Sequence, residues 1–450
     1  MTGRTLASRA VEKIGWKIEL KGWVNRRRDH GKIVFIDLRD RSGLIQLIVQ
    51  PQGLGEKAQA LVEEIRSEFV IEVFGTVAKR SEKTINPDLS TGTIEVQVEE
   101  IKILARAASL PFDMGGEELN LELPTLLDYR SLTLRHPKVQ AIFKVQEVVI
   151  DSFRKALQDK DFIEFQAPSI TPAVAEGGAE VFRVKYFEHE AYLTQSPQLY
   201  KSLLVGDFER VFSVNKIFRA EPSVTTRHLT EVVSLDAEFG FIDSWLDVLD
   251  MQEYVVKYIF NQVAQKCSKE LALFKATLPK VSEKIPLVKL REAQEIIYKR
   301  TDRDVRSEKD LAPEDEREIC RWSAEEHGSD LVFVSHFLTK KKPFYVCPDP
   351  EDPTYALSVD LIGRGVEWSS GGQRLNDYGE ILKNAKEWGV KEEDIELYLQ
   401  SFRYGVPPLG GFALGAERMT MHILGLSNIR EASLFPRDME RVDFRLSKKA

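Results

Sequence analysis

FRAEPSVTTRHLTE (218–231), GVEWSSGGQR (365–374) and GGFALGAERM (410–419) are three arginine-bearing segments that lie within strand-like sequence. An arginine inside a strand needs an anionic partner, because a lone buried cation is costly. Guanidinium groups bind phosphate in a bidentate manner, and a glycine-rich stretch lets the backbone approach a flat ligand closely. Acidic side chains such as Asp360 and Glu367 could hold Mg²⁺ against phosphates. The segments predict a site for a nucleotide triphosphate and a second anionic ligand.

Structural salt bridges are the alternative interpretation of the same segments. The candidate pairs are Arg219 with Glu221, Arg227 with His228, and Glu417 with Arg418. A single segment leaves the two interpretations evenly balanced, whereas three in one chain favour a ligand site. The sequence contains no Walker loop, no GxGxxG and no HExxH, so the site is not of those common types.

Helical and strand-like stretches surround the three segments and predict one domain over residues 136–450. Apolar residues from Val139 to Leu157 recur at steps of three, four and seven, which predicts a long amphipathic helix, and a second is expected near residues 245–270. Strand-like runs include RVFSVNKIF (210–218), VSLDAEFGF (233–241) and PFYVCP (343–348). We expect a large antiparallel sheet flanked by helices.

The N-terminal residues 1–104 predict a separate small barrel. Five short strands lie between residues 16 and 104, with one helical stretch from Glu56 to Ser67 between the third and the fourth. This order is typical of a five-stranded barrel of the oligonucleotide-binding type (OB-fold). Residues 105–135 predict a linker, and the whole chain is expected to be α+β.

Composition limits the class and the compartment. The chain has 450 residues, of which 43% are hydrophobic and 30% charged, and no apolar run is long enough to span a membrane. Cys267, Cys320 and Cys347 are far apart, so we expect a reduced cytoplasmic protein without a zinc site. The net charge is −8, yet residues 1–50 hold 11 Lys/Arg against 5 Asp/Glu, which allows a local nucleic-acid contact or an ordinary solvated face.

The motifs resemble those of the class II aminoacyl-tRNA synthetases, in the subgroup that handles aspartate, asparagine and lysine. DFIEFQAPSITP (161–172), with Pro168, resembles motif 1, FRAE with RHLTE resembles motif 2, and GFALGAER resembles motif 3. The resemblance extends from about Lys17 to Asp438. It implies an anticodon-binding N-terminal barrel, a class II catalytic domain and a homodimer formed through motif 1.

The amino acid implied by the resemblance is aspartate. LTQSPQLYKS (193–202) matches the aspartate pattern, whereas asparagine enzymes usually carry glycine where Pro197 stands. Lys201 and Arg374 would bind the substrate β-carboxylate, and Asp236 would orient Lys201. The implied reaction joins aspartate and ATP to aspartyl-adenylate and transfers aspartate to the 3′-hydroxyl of tRNA-Asp. An asparagine enzyme is the closest alternative.

The resemblance also implies a role for individual residues. The substrate set is Glu176, Gln198, Lys201, Arg219, Asp236, Ser370 and Arg374, and Arg219, Arg418 and Glu367 form the catalytic set. The ATP set is Arg219, Ala220, Glu221, Arg227, His228, Leu229, Glu367, Gly415, Ala416, Glu417 and Arg418. Mg²⁺ would be held by Asp360, Glu367 and Ser370.

Anticodon recognition is expected on the barrel, at Arg28, His30, Phe35, Gln46 and Glu95. Phe35 would stack on a base and Gln46 would read one. The resemblance implies that His30 favours an enzyme that also charges tRNA-Asn, because strict enzymes of the family often have leucine there, and strict use of tRNA-Asp is the equal alternative.

Several positions depart from the family pattern. Pro222 follows FRAE where many relatives have an acidic residue, Val232-Val233 replaces an aromatic, and Ala413 replaces a glycine. A non-catalytic RNA-binding paralogue is a further alternative, but such proteins tend to lose the phosphate arginines or metal carboxylates. A free-standing asparagine synthetase would lack the barrel.

Overall fold

The computed structural model describes residues 3–172, 180–221 and 225–446. The chain divides into two compact units, Met1–Asn120 and Leu121–Ala450. Glu176 and Pro222, which the sequence analysis singled out, lie outside the described residues.

The first unit is a closed five-stranded barrel, as predicted. Its strands are β1 (Lys17–His30), β2 (Ile33–Asp40), β3 (Gly43–Val49), β4 (Val70–Lys79) and β5 (Ile94–Ala105), and helix α1 (Glu56–Glu64) lies between β3 and β4. The strand order is β1-β2-β3-β5-β4. Alternate residues such as Val34, Ile36 and Leu38 fill the interior. Outward-facing residues of the same strands are therefore available for binding.

The second unit contains the remaining helices and strands of the described chain. The helices are α2 (Leu123–Asp128), α3 (Arg130–Thr133), α4 (Pro137–Gln158), α5 (Gln198–Phe208), α6 (Leu246–Lys266), α7 (Ser268–Leu273), α8 (Leu290–Thr301), α9 (Pro313–His327), α10 (Tyr378–Glu387), α11 (Glu396–Arg403) and α12 (Ala416–Leu424). The strands are β6 (Ile163–Glu164), β7 (Ile170–Thr171), β8 (Arg183–Tyr186), β9 (His189–Leu193), β10 (Arg210–Phe218), β11 (Glu231–Gly240), β12 (Leu287–Lys289), β13 (Leu331–Ser335), β14 (Ser358–Gly363), β15 (Val366–Arg374) and β16 (Leu409–Gly415). The two long predicted helices are α4 and α6. The stretch predicted as a linker includes α2 and α3.

An eight-stranded sheet organises this unit, in the order β12-β13-β14-β15-β16-β11-β10-β6. Its six central strands are antiparallel, as expected, but the edge strands β12 and β6 pair in parallel with their neighbours, so the sheet is mixed. A smaller sheet, β7-β9-β8, accompanies it.

The strand expected at PFYVCP (343–348) is absent, and the prediction was wrong there. The segment forms turns, with isolated bridges at Val346 and Pro348. Pro343 and Pro348 lack the N–H groups that a strand ladder requires, which explains the difference.

The core between the helices and the sheet holds the central strands in position. Phe153 of α4 packs edge-on against Phe212 of β10, with ring centroids 6.0 Å apart, and both are fully buried. Because α4 and α6 cover one face of the sheet, the opposite face and the strand ends carry the polar segments. Among the described helices, none has the length and apolar character needed to cross a membrane.

Truncation of Phe153 to alanine should lower the free energy of unfolding of the second unit by about 3–5 kcal/mol, because a fully buried ring leaves a cavity. Urea unfolding of the full chain measures this loss. Phe208→Ala is the matched control, since the Phe208 side chain at the end of α5 is half exposed. Equal losses in the two variants would contradict the assignment of Phe153 to the core.

Candidate active site

Four buried charges form the centre of the site: Lys201, Asp236, Glu238 and Arg374. The Lys201 Nζ atom lies 3.0 Å from Asp236 Oδ1 and 3.4 Å from Glu238 Oε2. The Arg374 Nε atom donates to Glu238 Oε1 at 2.9 Å. Lys201 and Arg374 therefore converge on the same carboxylate, and we call the four residues the charge cluster.

Neighbouring strands bring the cluster together. Asp236 and Glu238 are two residues apart on β11 and so share one face of the strand. Strand β16 lies between β11 and β15, and Gly411 of β16 stands directly opposite Glu238 on one side and Gly372 on the other. A Cβ atom at Gly411 would lie only 2.0 Å from Glu238 Oε2. The missing side chain is what lets Glu238 and Arg374 meet across the middle strand.

This contact corrects the expected role of the glycine-rich segment GGFALG. The sequence suggested that its glycines admit a flat ligand. A Cβ at Gly410 would instead meet Val248 Cγ2 at 2.4 Å, and one at Gly411 would meet Ala237 O at 2.2 Å. Both glycines are required by neighbouring protein atoms. Gly415, at the end of the segment, has Arg418 Cβ as its nearest neighbour at 3.5 Å and can accept a ligand.

Helix α5 supplies Lys201 to the charge cluster, together with two neutral polar side chains that contact it. Gln198, Lys201 and Ser202 lie at positions i, i+3 and i+4, which share one helix face, and all three are buried. Gln198 Nε2 donates to Ser202 Oγ at 2.8 Å and to Glu238 Oε1 at 3.2 Å. Gln198 Oε1 accepts from Arg374 Nη2 at 3.3 Å. The amide thus ties α5 to the two strands.

Charge compensation offsets the effect of burial on the pKa of Glu238 and of Arg374. Burial alone would raise the pKa of Glu238, but Arg374 and Lys201 bring it below its ordinary value. Burial alone would lower the pKa of Arg374, and Glu238 raises it instead. Two cations and two carboxylates balance, so each cation already has a protein partner. The sequence analysis missed Glu238, although its spacing from Asp236 places it on the same strand face.

A cavity of about 160 Å³ next to Ser234 and Ala413 gathers most of the predicted ATP and metal residues. Its lining includes Arg219, Glu221, Arg227, His228, Leu229, Glu367, Ser370, Gly415, Glu417 and Arg418. Ala220 and Ala416 do not line it; the Ala220 N–H donates to Glu180 O at 2.8 Å, and Ala416 is buried at the start of α12. Val232 and Val233 line the wall where many relatives have an aromatic.

Only one of the three predicted ion pairs in this cavity is found. Arg219 lies 3.9 Å from Glu221, as expected. Arg227 faces Glu316 of α9 at 3.9 Å instead of His228, which contacts Thr225 and Glu221.

Arg418 and Glu417 point in different directions. Arg418 Nη1 donates to the Glu367 carbonyl oxygen at 2.8 Å and lies 3.8 Å from its carboxylate. Both carboxylate oxygens of Glu417 accept from the Val233 N–H, at 3.0 and 3.1 Å, and burial raises the pKa of Glu417 to about 7. Adjacent residues of a helix project about 100° apart, so this pair cannot form. Glu417 supports strand β11 and Arg418 faces the cavity.

The predicted metal ligands lie together on two strands. Asp360 of β14 stands opposite Ser370 of β15, and its carboxylate accepts a hydrogen bond from the Ser370 hydroxyl. Burial raises the pKa of Asp360 to about 6, with Lys342 opposing the rise and Glu367 adding to it. In the described parts of the chain no three His, Cys, Asp or Glu side chains form a metal cluster. Two carboxylates and a hydroxyl are oxygen ligands of the kind that fit Mg²⁺, which rarely uses an all-protein cage and takes phosphate oxygens as further ligands.

The predicted anticodon residues lie on one face of the barrel. Arg28 Nη2 donates to Asp37 at 2.9 Å, and His30 packs edge-on against Phe35 with centroids 5.6 Å apart. Gln46 Oε1 accepts from Arg80 Nη2 at 2.7 Å, and Arg80 Nε lies 3.8 Å from Glu95.

Arg80, which contacts both Gln46 and Glu95, was not among the residues predicted for this face. Because a guanidinium only donates, it leaves the Gln46 amide N–H₂ free to face a ligand. The missed signal was an arginine directly after the end of β4, within reach of the predicted base-reading glutamine.

The barrel, the sheet with its six antiparallel central strands, and the arginine cavity match the architecture that the resemblance to class II aminoacyl-tRNA synthetases implies. Residues 122–439 match the family model "tRNA synthetases class II (D, K and N)", and residues 18–104 match "OB-fold nucleic acid binding domain". The chain belongs to the class II tRNA synthetases of the D, K and N family.

Individual relatives are similar over nearly their full length. An "Aspartate--tRNA(Asp/Asn) ligase" of Deinococcus radiodurans is 39% identical, with 98% of both chains covered. An "Aspartate--tRNA(Asp) ligase" of Pyrococcus horikoshii is 38% identical, with 95% of this chain and 96% of that protein covered. The crystal structure of asparaginyl-tRNA synthetase from Pyrococcus horikoshii with asparaginyl-adenylate superposes with a TM-score of 0.87 at 32% identity, covering 96% and 97% of the two chains.

Alanine at Gly411 should separate the charge cluster. The new methyl would overlap Glu238 and the Ala237 carbonyl, so we expect the free energy of unfolding to fall by about 2 kcal/mol or more. Urea unfolding measures the change. Gly415→Ala is the control, because its Cβ meets only ordinary contact distance. If the Gly411→Ala variant were as stable as wild type, Glu238 and Arg374 would not depend on the absence of a side chain at position 411.

Proposed function

We propose that the chain is an aspartate–tRNA ligase that uses ATP to form aspartyl-adenylate and transfers aspartate to the 3′-hydroxyl of tRNA-Asp. The observation that carries the proposal is the convergence of Lys201 and Arg374 on Glu238, beside a cavity lined by phosphate-type arginines. Relatives of nearly 40% identity that are named aspartate–tRNA ligases support it.

The charge cluster would hold the amino acid. Lys201 already donates to Asp236 and to the Phe412 carbonyl and lies 3.4 Å from Glu238, so it would bind the substrate β-carboxylate by exchanging one of these partners, together with the Arg374 guanidinium. Asp236, Gln198 and Glu176 would accept from the substrate ammonium. Ser370 would complete the substrate set from strand β15.

The nucleotide cavity would perform the first reaction step. An oxygen of the substrate α-carboxylate attacks the α-phosphorus of ATP, and the bond to the β-phosphate breaks to release pyrophosphate. Arg219 would hold both the carboxylate and the α-phosphate, and Arg418 and Arg227 would neutralise the outer phosphates. Glu221, His228, Leu229, Gly415 and Glu417 would form the adenosine surroundings, whereas Ala220 and Ala416 do not line the cavity. Bound to Asp360, Glu367 and Ser370, Mg²⁺ would supply additional positive charge for the leaving pyrophosphate.

The first step requires no strongly basic side chain, because the attacking carboxylate is already ionised. In the second step the ribose 3′-hydroxyl oxygen attacks the carbonyl carbon of the adenylate and the bond from this carbon to the phosphate oxygen breaks. AMP leaves, and its phosphate takes up the hydroxyl proton.

Recognition of tRNA would involve the barrel face that carries Arg28, His30, Phe35, Gln46 and Glu95. Phe35 offers a stacking surface worth about 1–3 kcal/mol per base. We propose tRNA-Asn as a second acceptor on the basis of His30, supported by the relative whose name includes both tRNAs. A homodimer formed through motif 1 and a cytoplasmic location are further proposals of the family resemblance.

Asparagine is the competing substrate, because a solved asparaginyl enzyme shares the fold. Pro197, Lys201 and Asp236 argue for aspartate. A non-catalytic RNA-binding paralogue is disfavoured because Arg219, Arg418 and Glu367 all line one cavity.

Lys201→Gln should reduce kcat/KM for aspartate by about 10² to 10³ in ATP–pyrophosphate exchange, because the β-carboxylate of the bound substrate would lose one of its two cationic partners. Binding of Mg²⁺·ATP, followed by thermal shift, should change little and reports an intact cavity. Lys216→Gln is the control, because the Lys216 side chain on β10 is exposed. Exchange by the wild type with asparagine but not aspartate would refute the proposal.

Wild-type enzyme should aspartylate transcripts of both tRNA-Asp and tRNA-Asn. His30→Leu should reduce kcat/KM for tRNA-Asn by about tenfold or more relative to tRNA-Asp, since one anticodon contact is worth about 1–3 kcal/mol. Filter assays with labelled aspartate measure both rates. Aspartylation of tRNA-Asn no higher than background would rule out the second acceptor and leave the first intact.

A further inference from the structure

Lys342 contacts the predicted metal carboxylate from outside the three sequence motifs. Its Nζ atom lies 3.2 Å from Asp360 Oδ2 and 3.4 Å from Oδ1. The same ammonium stands 4.2 Å above the centroid of the Phe337 ring. Asp360 is buried, and its other named contact is the Ser370 hydroxyl.

The surrounding backbone fixes this position. Lys342 ends a short 3-10 turn, Thr339–Lys341, and its N–H donates to the Thr339 carbonyl at 3.1 Å. Pro343 follows, which restricts the backbone of Lys342 to extended conformations. Lys340 and Lys341 precede it in the same turn and are exposed, whereas the Lys342 side chain is only 18% exposed. One lysine of three is therefore directed at the carboxylate.

The contact is long for an ammonium–carboxylate pair, which usually has N···O distances of about 2.7–2.9 Å. It leaves Asp360 oxygens able to take another partner. A cation bound there would be repelled by the ammonium, and at the few ångströms involved this repulsion is substantial even with strong screening. A triphosphate entering with the metal would attract the same ammonium.

We propose that Lys342 is a positioning residue that opposes binding of a divalent cation at Asp360 until nucleotide phosphates arrive. The inference rests on the metal site of the proposed function. Lys342 thereby couples metal binding to nucleotide binding, because its ammonium must leave the Asp360 carboxylate and bind a nucleotide phosphate before the cation can bind.

The test is a titration of the full-length protein with Mn²⁺, without nucleotide, in which free Mn²⁺ is measured by electron paramagnetic resonance. Lys342→Gln should tighten Mn²⁺ binding by about tenfold relative to wild type. Lys341→Gln, one residue away and exposed, should bind like wild type. The double variant Lys342→Gln with Asp360→Asn should lose the gain.

Two outcomes would overturn the inference. Lys342→Gln could bind Mn²⁺ no more tightly than wild type, in which case the ammonium orders Asp360 rather than opposing a cation. The gain could also persist in the double variant, which would put the new affinity elsewhere. The titration needs neither aspartate nor tRNA, so a chain that charges no tRNA would defeat the proposed function while the Mn²⁺ result still decides this inference.

Discussion

The bond between Glu238 and Arg374 across strand β16 is the contact on which the candidate site depends. The two side chains belong to strands that do not pair with each other, and they meet only because Gly411 of the strand between them has no side chain. Burial then makes the arrangement selective: a buried carboxylate without its cation would be strongly destabilised, so Glu238, Arg374 and Lys201 require one another. The strand register therefore determines the charge pattern of the site, because it places Gly411 between Glu238 and Arg374.

The ion pairs of the nucleotide cavity are longer and more exposed than those of the charge cluster. Its charged groups have partners at longer distances, such as Arg227 with Glu316 at 3.9 Å and Arg219 with Glu221 at 3.9 Å. These groups are partly exposed, where an ion pair contributes at most about 1 kcal/mol, so a phosphate can replace the protein partner with little loss. The buried charge cluster suits a small ligand such as an amino acid. The exchangeable ion pairs of the cavity suit a highly charged ligand such as a triphosphate.

Much of this arrangement was predictable from the sequence, and the exceptions have physical reasons. The order of five short strands with one helical stretch predicted the barrel, and the resemblance to the synthetase motifs implied most of the residues that line the cavity. The edge pairings of β6 and β12 and the turn at PFYVCP were not predicted, because short runs say little about pairing and prolines override strand propensity. Glu238 could have been found from its spacing to Asp236. Lys342 could not, since three adjacent lysines are alike in sequence and only the tertiary fold brings one of them to Asp360.

The balanced charge cluster changes the argument for aspartate. Two bare cations would attract any carboxylate, but Lys201 and Arg374 are already neutralised by Asp236 and Glu238. Under the proposed function, the β-carboxylate of aspartate offers only acceptor oxygens to the N–H groups of Lys201 and Arg374. Asparagine would turn an amide N–H₂ group towards the same donors, and a buried donor without an acceptor is costly. The donor character of the two side chains, rather than an excess of positive charge, is therefore the property that favours the acid over the amide.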